Sequence, residues 1–268
     1  MRVVRHRDRR RRARWRRGVW GGGEVLVTVG VVVMLLVVHQ LWWTNREARR
    51  GAERKVEALE EEWGEGKGGG GGGSVGGDAA PSGSVSSPSA GSAAPERARG
   101  QSSYGSRSVV IGSGPPRFSQ AYAILTIPRL HLRVPVAEGV SKADVLNKGY
   151  VGHYPGTQQP GQAGNFAVAG HRNTHGEPFR YLPRLRREDT VQVETKGAVY
   201  TYAVDKILPH TSARDSGVVR PVPRSVVRAG YGYDEPGYYI TLTTCTPEFT
   251  SRYRMVVWGK LVSMRPRG

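Results

Sequence analysis

YYITLTTCTP, residues 238–247, is a run of β-branched and aromatic residues that ends on the only cysteine of the chain and is stopped by a proline. Such side chains favour extended backbone, and proline cannot donate to a strand ladder. The stretch predicts a strand with Cys245 at its tip. A strand end gives rigid support and an exposed tip, which suits a nucleophile. A single cysteine excludes an intramolecular disulfide. Many lone cysteines are only small buried hydrophobes, so the surroundings decide.

Two further stretches supply those surroundings. FAVAGHRNTHGEPF, residues 166–179, is an apolar strand running into a polar loop, with His171 at the junction. A cysteine becomes a strong nucleophile near neutral pH when a base shares its proton, and histidine is the usual partner. SRYR, residues 251–254, leads into the apolar run MVVWGKLV, residues 255–262. Arg254 shares the pleat face of Val256 and Trp258, where its fork can hold a peptide carbonyl or stabilise developing negative charge. Arg252 competes for that role, but Arg254 enters the strand directly.

Outward from these stretches, short apolar or alternating runs bounded by Gly, Pro, Asn and Asp predict strands over 121–127, 133–136, 165–169, 190–194, 199–207, 238–244 and 255–262. Lys196-Gly197 is a candidate hairpin turn. Helical patterning is confined to 142–146 and 179–185. Residues 208–237 form a long irregular segment containing Pro and Gly, of the kind that is often functional. The expected fold class is mostly β, a closed or nearly closed barrel with short helices.

TLTTC at 241–245, AGH at 169–171 and an arginine nine residues after the cysteine together resemble a sortase. TLTTCTPEF at 241–249 is most similar to class E, the housekeeping sortases of high-GC Gram-positive bacteria. TIPRL at 126–130, GHYPGT at 152–157 and GNFAVAGHRNTHGEPF at 164–179 fit the same family. The resemblance covers roughly 121–262. It implies a closed eight-stranded sortase-type β-barrel and a catalytic Cys245, His171 and Arg254. It also implies cleavage of a C-terminal sorting signal, LAxTG-like for class E, between Thr and Gly, with transfer of the acyl group to an amine of a peptidoglycan precursor. Secreted proteins bearing that signal would be the substrates. Transfer to a pilin lysine differs only in the acceptor. A degenerate, non-catalytic domain of the same fold is the alternative of another class.

Three more residues are candidates for substrate binding. Thr244 can orient substrate or the backbone of the site, or be an ordinary strand residue. His153 can line the substrate groove or hydrogen-bond within its own turn. His175 can shape the site entrance or be a solvent-facing loop histidine. His153, His171, His175 and Cys245 could in principle ligate zinc, but Asn173 and Gly176 disfavour the helix that a four-residue histidine spacing requires. No metal and no cofactor is expected.

The 268 residues carry a net charge of +18, which suggests nucleic acid until its position is read. Ten arginines lie in the first seventeen residues, directly before VLVTVGVVVMLLVV at 25–38. A basic block beside an apolar run is a membrane-topology signal, and no nucleic-acid partner is expected. With Val19, Trp20 and Leu41–Trp43 the apolar segment is long enough to span a bilayer, and no clear small-x-small cleavage site follows it. The expected organisation is a basic cytoplasmic tail (1–18), a single-pass anchor in the plasma membrane (19–43) and a charged, solvated helical stalk (44–63). A flexible Gly/Ser/Pro-rich linker (64–117) and an extracellular catalytic domain (118–268) follow. The linker would let the domain sweep a layer some distance from the membrane.

Overall fold

The computed structural model describes residues 6–65 and 115–267. One long helix, α1 (His6–Glu65), precedes eight strands: β1 (Ala121–Ile127), β2 (Leu132–Glu138), β3 (Val151–His153), β4 (Gly164–Ala169), β5 (Thr190–Thr195), β6 (Ala198–Ser212), β7 (Tyr238–Thr246) and β8 (Tyr253–Pro266). They close into a barrel in the order β1-β2-β3-β4-β7-β8-β6-β5. Closure leaves no free sheet edge. Most of the linker expected over 64–117, residues 66–114, lies outside the described residues.

Two neighbouring pairs are parallel, β2/β3 and β4/β7. The second matters for chemistry. Parallel strands end at the same rim, so the residues that follow β4 and β7 emerge side by side. β8 pairs antiparallel with β7 and therefore starts at that rim.

The barrel interior is filled by alternate residues of the strands, among them Leu125, Val136, Phe166, Val168, Val193, Tyr202, Ile240, Leu242 and Val257. Two outer faces are also buried. Ile124 and Ala137 on β1 and β2 meet Val56, Leu59 and Trp63 of α1. Val256 and Trp258 on β8 lie under Val218 and Tyr233 of the β6–β7 connection. Double-sided burial explains why β1 reads as a nearly continuous apolar run rather than as an alternating one.

Several expectations are corrected. Residues 44–63 are not solvated all round, because Ala48, Ala52, Val56, Leu59 and Trp63 are buried against the barrel. Their spacing of four, four, three and four residues puts them on one helix face. The helical stretches expected at 142–146 and 179–185 are turns with three-residue 3-10 segments, Leu146–Lys148 and Leu182–Arg184. β6 continues to Ser212, five residues beyond the predicted strand end, and β3 was not predicted.

The remainder of 208–237 is irregular but fixed. Asp215 is buried and its carboxylate accepts hydrogen bonds from the Thr211 hydroxyl (2.6 Å), the Ser225 hydroxyl (2.5 Å) and the Val226 N–H (3.0 Å). The Trp258 indole N–H donates to the Val218 carbonyl (3.1 Å). Asp215→Ala leaves three donors without their acceptor, and we expect a loss of about 3 kcal/mol. A lower denaturant midpoint at unchanged m-value is the measurement that checks it.

Candidate active site

The site is assembled by register. The last paired residues of β4 and β7 are Ala169 and Thr243, and the Gly170 N–H still donates to the Thr243 carbonyl (3.1 Å). Two residues further on, the same register sets His171 beside Cys245. On the other side Cys245 and Arg254 are direct cross-strand partners. Directly opposed residues share a face, and neighbouring strands lie about 4.8 Å apart. Cys245 on β7 and Arg254 on β8 are thus paired, and His171, two residues past the end of β4, stands in the same row at a single rim. Cys245 is half-buried and unpaired as a thiol.

Three contacts hold the row together, and two of them had no sequence signal. The Thr244 hydroxyl donates to the Gly170 carbonyl (2.8 Å), locking β7 to the residue before His171. Thr244 is buried, with its hydroxyl on the backbone of the site. The Arg172 guanidinium donates to the Cys245 carbonyl (3.3 Å) and the Thr246 hydroxyl oxygen (2.9 Å). The Tyr154 hydroxyl lies 3.0 Å from that of Thr243, which occupies the same strand face as Cys245 one row back.

His171 places Nε2 2.9 Å from Asn147 Oδ1. An amide oxygen only accepts, so Nε2 carries the proton and Nδ1 keeps the lone pair of the neutral ring. Burial, then the neighbouring His175, then Lys142 push His171 down to about 4. His175 stacks on His171 with ring centroids 5.4 Å apart, and burial lowers it as well. His175 is half-buried beside His171. Asn147 was not anticipated, since it is a turn residue 24 positions away.

His153 is corrected. It points into the barrel, 4.9 Å from the Phe166 ring, and is almost wholly buried. Its Nδ1 lies 2.7 Å from Glu138 Oε2 and 3.0 Å from the Tyr122 hydroxyl, its Nε2 2.9 Å from the Thr157 hydroxyl and 3.1 Å from the Gln158 carbonyl. It braces its turn and has no face left for a groove. The four candidate zinc ligands are accordingly not brought together, and no cluster of three or more His, Cys, Asp or Glu suited to a metal occurs among the described residues.

Arg254 donates from Nη1 to the carbonyls of Ser251 (2.9 Å) and Tyr253 (3.0 Å). It has no carboxylate partner among the described residues. Arg252 is exposed and lies over the Tyr253 ring, outside the row.

The family model for the Sortase domain matches residues 125–262, about half of the chain and nearly the whole barrel. The chain belongs to the sortase family. Among its relatives, Sortase SrtE1 of Streptomyces coelicolor is 42% identical over 250 residues, covering 91% of this chain and 57% of that protein. Sortase SrtE2 of the same organism is 32% identical over 245 residues, covering 90% of this chain and 80% of that one. The crystal structure of Sortase E1 from Streptomyces coelicolor, which has a tripeptide in its active site, superposes with a TM-score of 0.53 at 52% identity, over 56% of this chain and 92% of that one. The sortase SrtA of Actinomyces oris gives 0.51 at 31% identity, over 57% and 86%. These relatives place the chain with the class E sortases, and it spans little more than half the length of SrtE1.

Proposed function

We propose that this chain is a membrane-anchored cysteine transpeptidase that cleaves an LAxTG-like sorting signal between Thr and Gly and transfers the acyl group to an amine of a cell-wall precursor. The observation that carries it is the gathering of His171, just past the end of β4, with Cys245 on β7 and Arg254 on β8 at one rim. His171 takes the thiol proton of Cys245 at Nδ1 as Sγ attacks the threonine carbonyl carbon. The oxyanion forms against Arg254. The carbon–nitrogen bond to glycine breaks, and the imidazolium gives its proton to the departing amine. The incoming amine then loses a proton to His171 as its nitrogen attacks the thioester, and the proton returns to the sulfur.

Anchoring rests on α1. The stretch Glu24–Gly64 is long and apolar enough to cross a membrane, and its apolar side chains from Val25 to Val38 are exposed. The arginine block before it argues for an N-terminus in the cytoplasm and a barrel outside. Sorting-signal proteins and a precursor amine are the partners. No nucleic acid and no cofactor is needed.

The test uses the full chain in detergent, a quenched LAxTG peptide and a glycine-bearing amine. Cleavage at Thr–Gly, an amide-linked product and ping-pong kinetics are expected. No cleavage and no thioester across a panel of sorting peptides would overturn the reading. In the same assay Arg254→Ala should lower kcat by about 10² to 10³. Arg252→Ala should stay within about twofold, because it sits outside the row.

A further inference from the structure

α1 does not end where a membrane-spanning segment would. It runs unbroken to Glu65, and its second half lies across the barrel. Towards the membrane-side end of its buried stripe it meets the two turns that flank His171. Asn45 Oδ1 accepts the Gly176 N–H (2.7 Å), and Arg49 Nε donates to the Gly176 carbonyl (3.0 Å). Arg49 Nη2 also pairs with Glu177 (2.9 Å), whose nearly buried carboxylate is shared with Arg180 (2.8 Å). The Asn147 turn is pressed on the same helix. At Gly149 a Cβ would lie 2.7 Å from the Ala48 carbonyl oxygen, so only glycine admits this approach.

The turn held by Asn45 and Arg49 is an unfavourable one. His175, Gly176 and Glu177 have φ of 51°, 85° and 52°, three successive left-handed residues of which two bear side chains. Such backbone persists where its surroundings enforce it. His175, the first of the three, is the residue stacked on His171. Asn147, on the other turn, is the residue bonded to His171 Nε2. The helix thus touches both supports of the proposed base.

We propose that the juxtamembrane half of α1 is a working part of the site, with Asn45 and Arg49 as positioning residues that hold the His175–Glu177 turn and thereby His171. The chain path agrees. After Glu65 the chain is next described at Pro115, and Ser119 and Glu138 already bond to each other's side of β2, with the Ser119 N–H on the Glu138 carbonyl (2.8 Å). Residues 66–114 therefore join two points on one domain.

The inference rests on the proposed activity only for its turnover arm. The charged groups around the turn are Arg49 of α1, Glu177 and Arg180 of the loop, Arg172 beside His171, Lys142 before the Asn147 turn, and Glu248 after β7, which pairs with Arg180 (3.1 Å). The full chain in detergent is compared with the double variant Asn45→Ala/Arg49→Ala, with Arg49→Lys and with Ala52→Arg, which puts a charge into the buried stripe. Three quantities are read: hydrogen exchange of the Gly176 amide, the pH profile of Cys245 alkylation by iodoacetamide, and kcat with KM. In the double variant, Gly176 exchange should rise by about tenfold or more. The pH dependence of Cys245 alkylation should change as water reaches His171, whose ring burial holds down to about 4 in the wild type. kcat should fall about tenfold with KM within about twofold. Arg49→Lys should lie between, since lysine keeps the charge and loses the fork. Unchanged exchange and an unchanged alkylation profile in both the double variant and Ala52→Arg would overturn the proposal. Absent turnover in the wild type would count against the transpeptidase reading alone, because exchange and alkylation need no substrate.

Discussion

With Cys245 replaced by alanine, cleavage of the sorting peptide should fall by about 10⁴-fold or to background, and no acyl adduct should form on the intact protein. The geometry explains the size of the effect. Cys245 is the only thiol of the chain, and the neighbouring hydroxyls are committed, Thr244 to the Gly170 carbonyl and Thr243 to Tyr154 and the Val168 carbonyl. Cys245→Ser should be nearly as inactive. A hydroxyl holds its proton far more tightly than a thiol, and a histidine pushed down to about 4 is too weak a base to remove it. The fold should be unaffected, since the side chain is half-buried at a strand end. Intact mass after incubation with substrate, beside turnover, checks this. Turnover within about tenfold of wild type would place the nucleophile elsewhere.

His171→Ala should lower kcat/KM by about 10² to 10⁴, and its effect should depend on pH in a defined sense. The reaction needs the neutral ring of His171, so activity is lost when that ring is protonated. That acid limb should lie near pH 4 rather than near 6.5. Stability follows the same sign. The folded protein holds the ring neutral with a depressed value, whereas the unfolded chain titrates normally. Stability from this site is complete above about 6.5 and is lost as pH falls towards about 4. His171→Ala should remove that part of the acid sensitivity. Thermal melts of both proteins between pH 4 and 7, with kcat/KM profiles of the wild type, test the two halves separately.

What could be read in the sequence was what local chemistry encodes. The strand ending at Cys245 and the strand beginning at Arg254 are one hairpin, so their spacing already carried their pairing. His171 was visible because an apolar strand turns polar at it. Its neighbours were not visible, because each is brought in by closure of the barrel. Asn147 arrives from 24 residues upstream, and Arg172 reaches residues 73 and 74 positions away. His153 misled for the same reason. Between Gly152 and Tyr154-Pro155 it looks like a loop histidine, and only Glu138 and Tyr122, on other strands, make it a satisfied interior residue. β3 has three residues, too few to show a period. The buried stripe of α1 was hidden because two of its five members are alanines set among charged residues.

That residues 66–114 connect the end of α1 to the start of the barrel bears on how the molecule tolerates cutting and lengthening. Inserting as many residues again would add only about 0.6 kcal/mol of closure entropy, so the length of this segment is free to drift without moving the groove. A protease cut within it would not release the barrel outright. The two fragments would stay joined through Ala48, Ala52, Val56, Leu59 and Trp63, and the molecule would behave as a split protein reassembled on its own anchor.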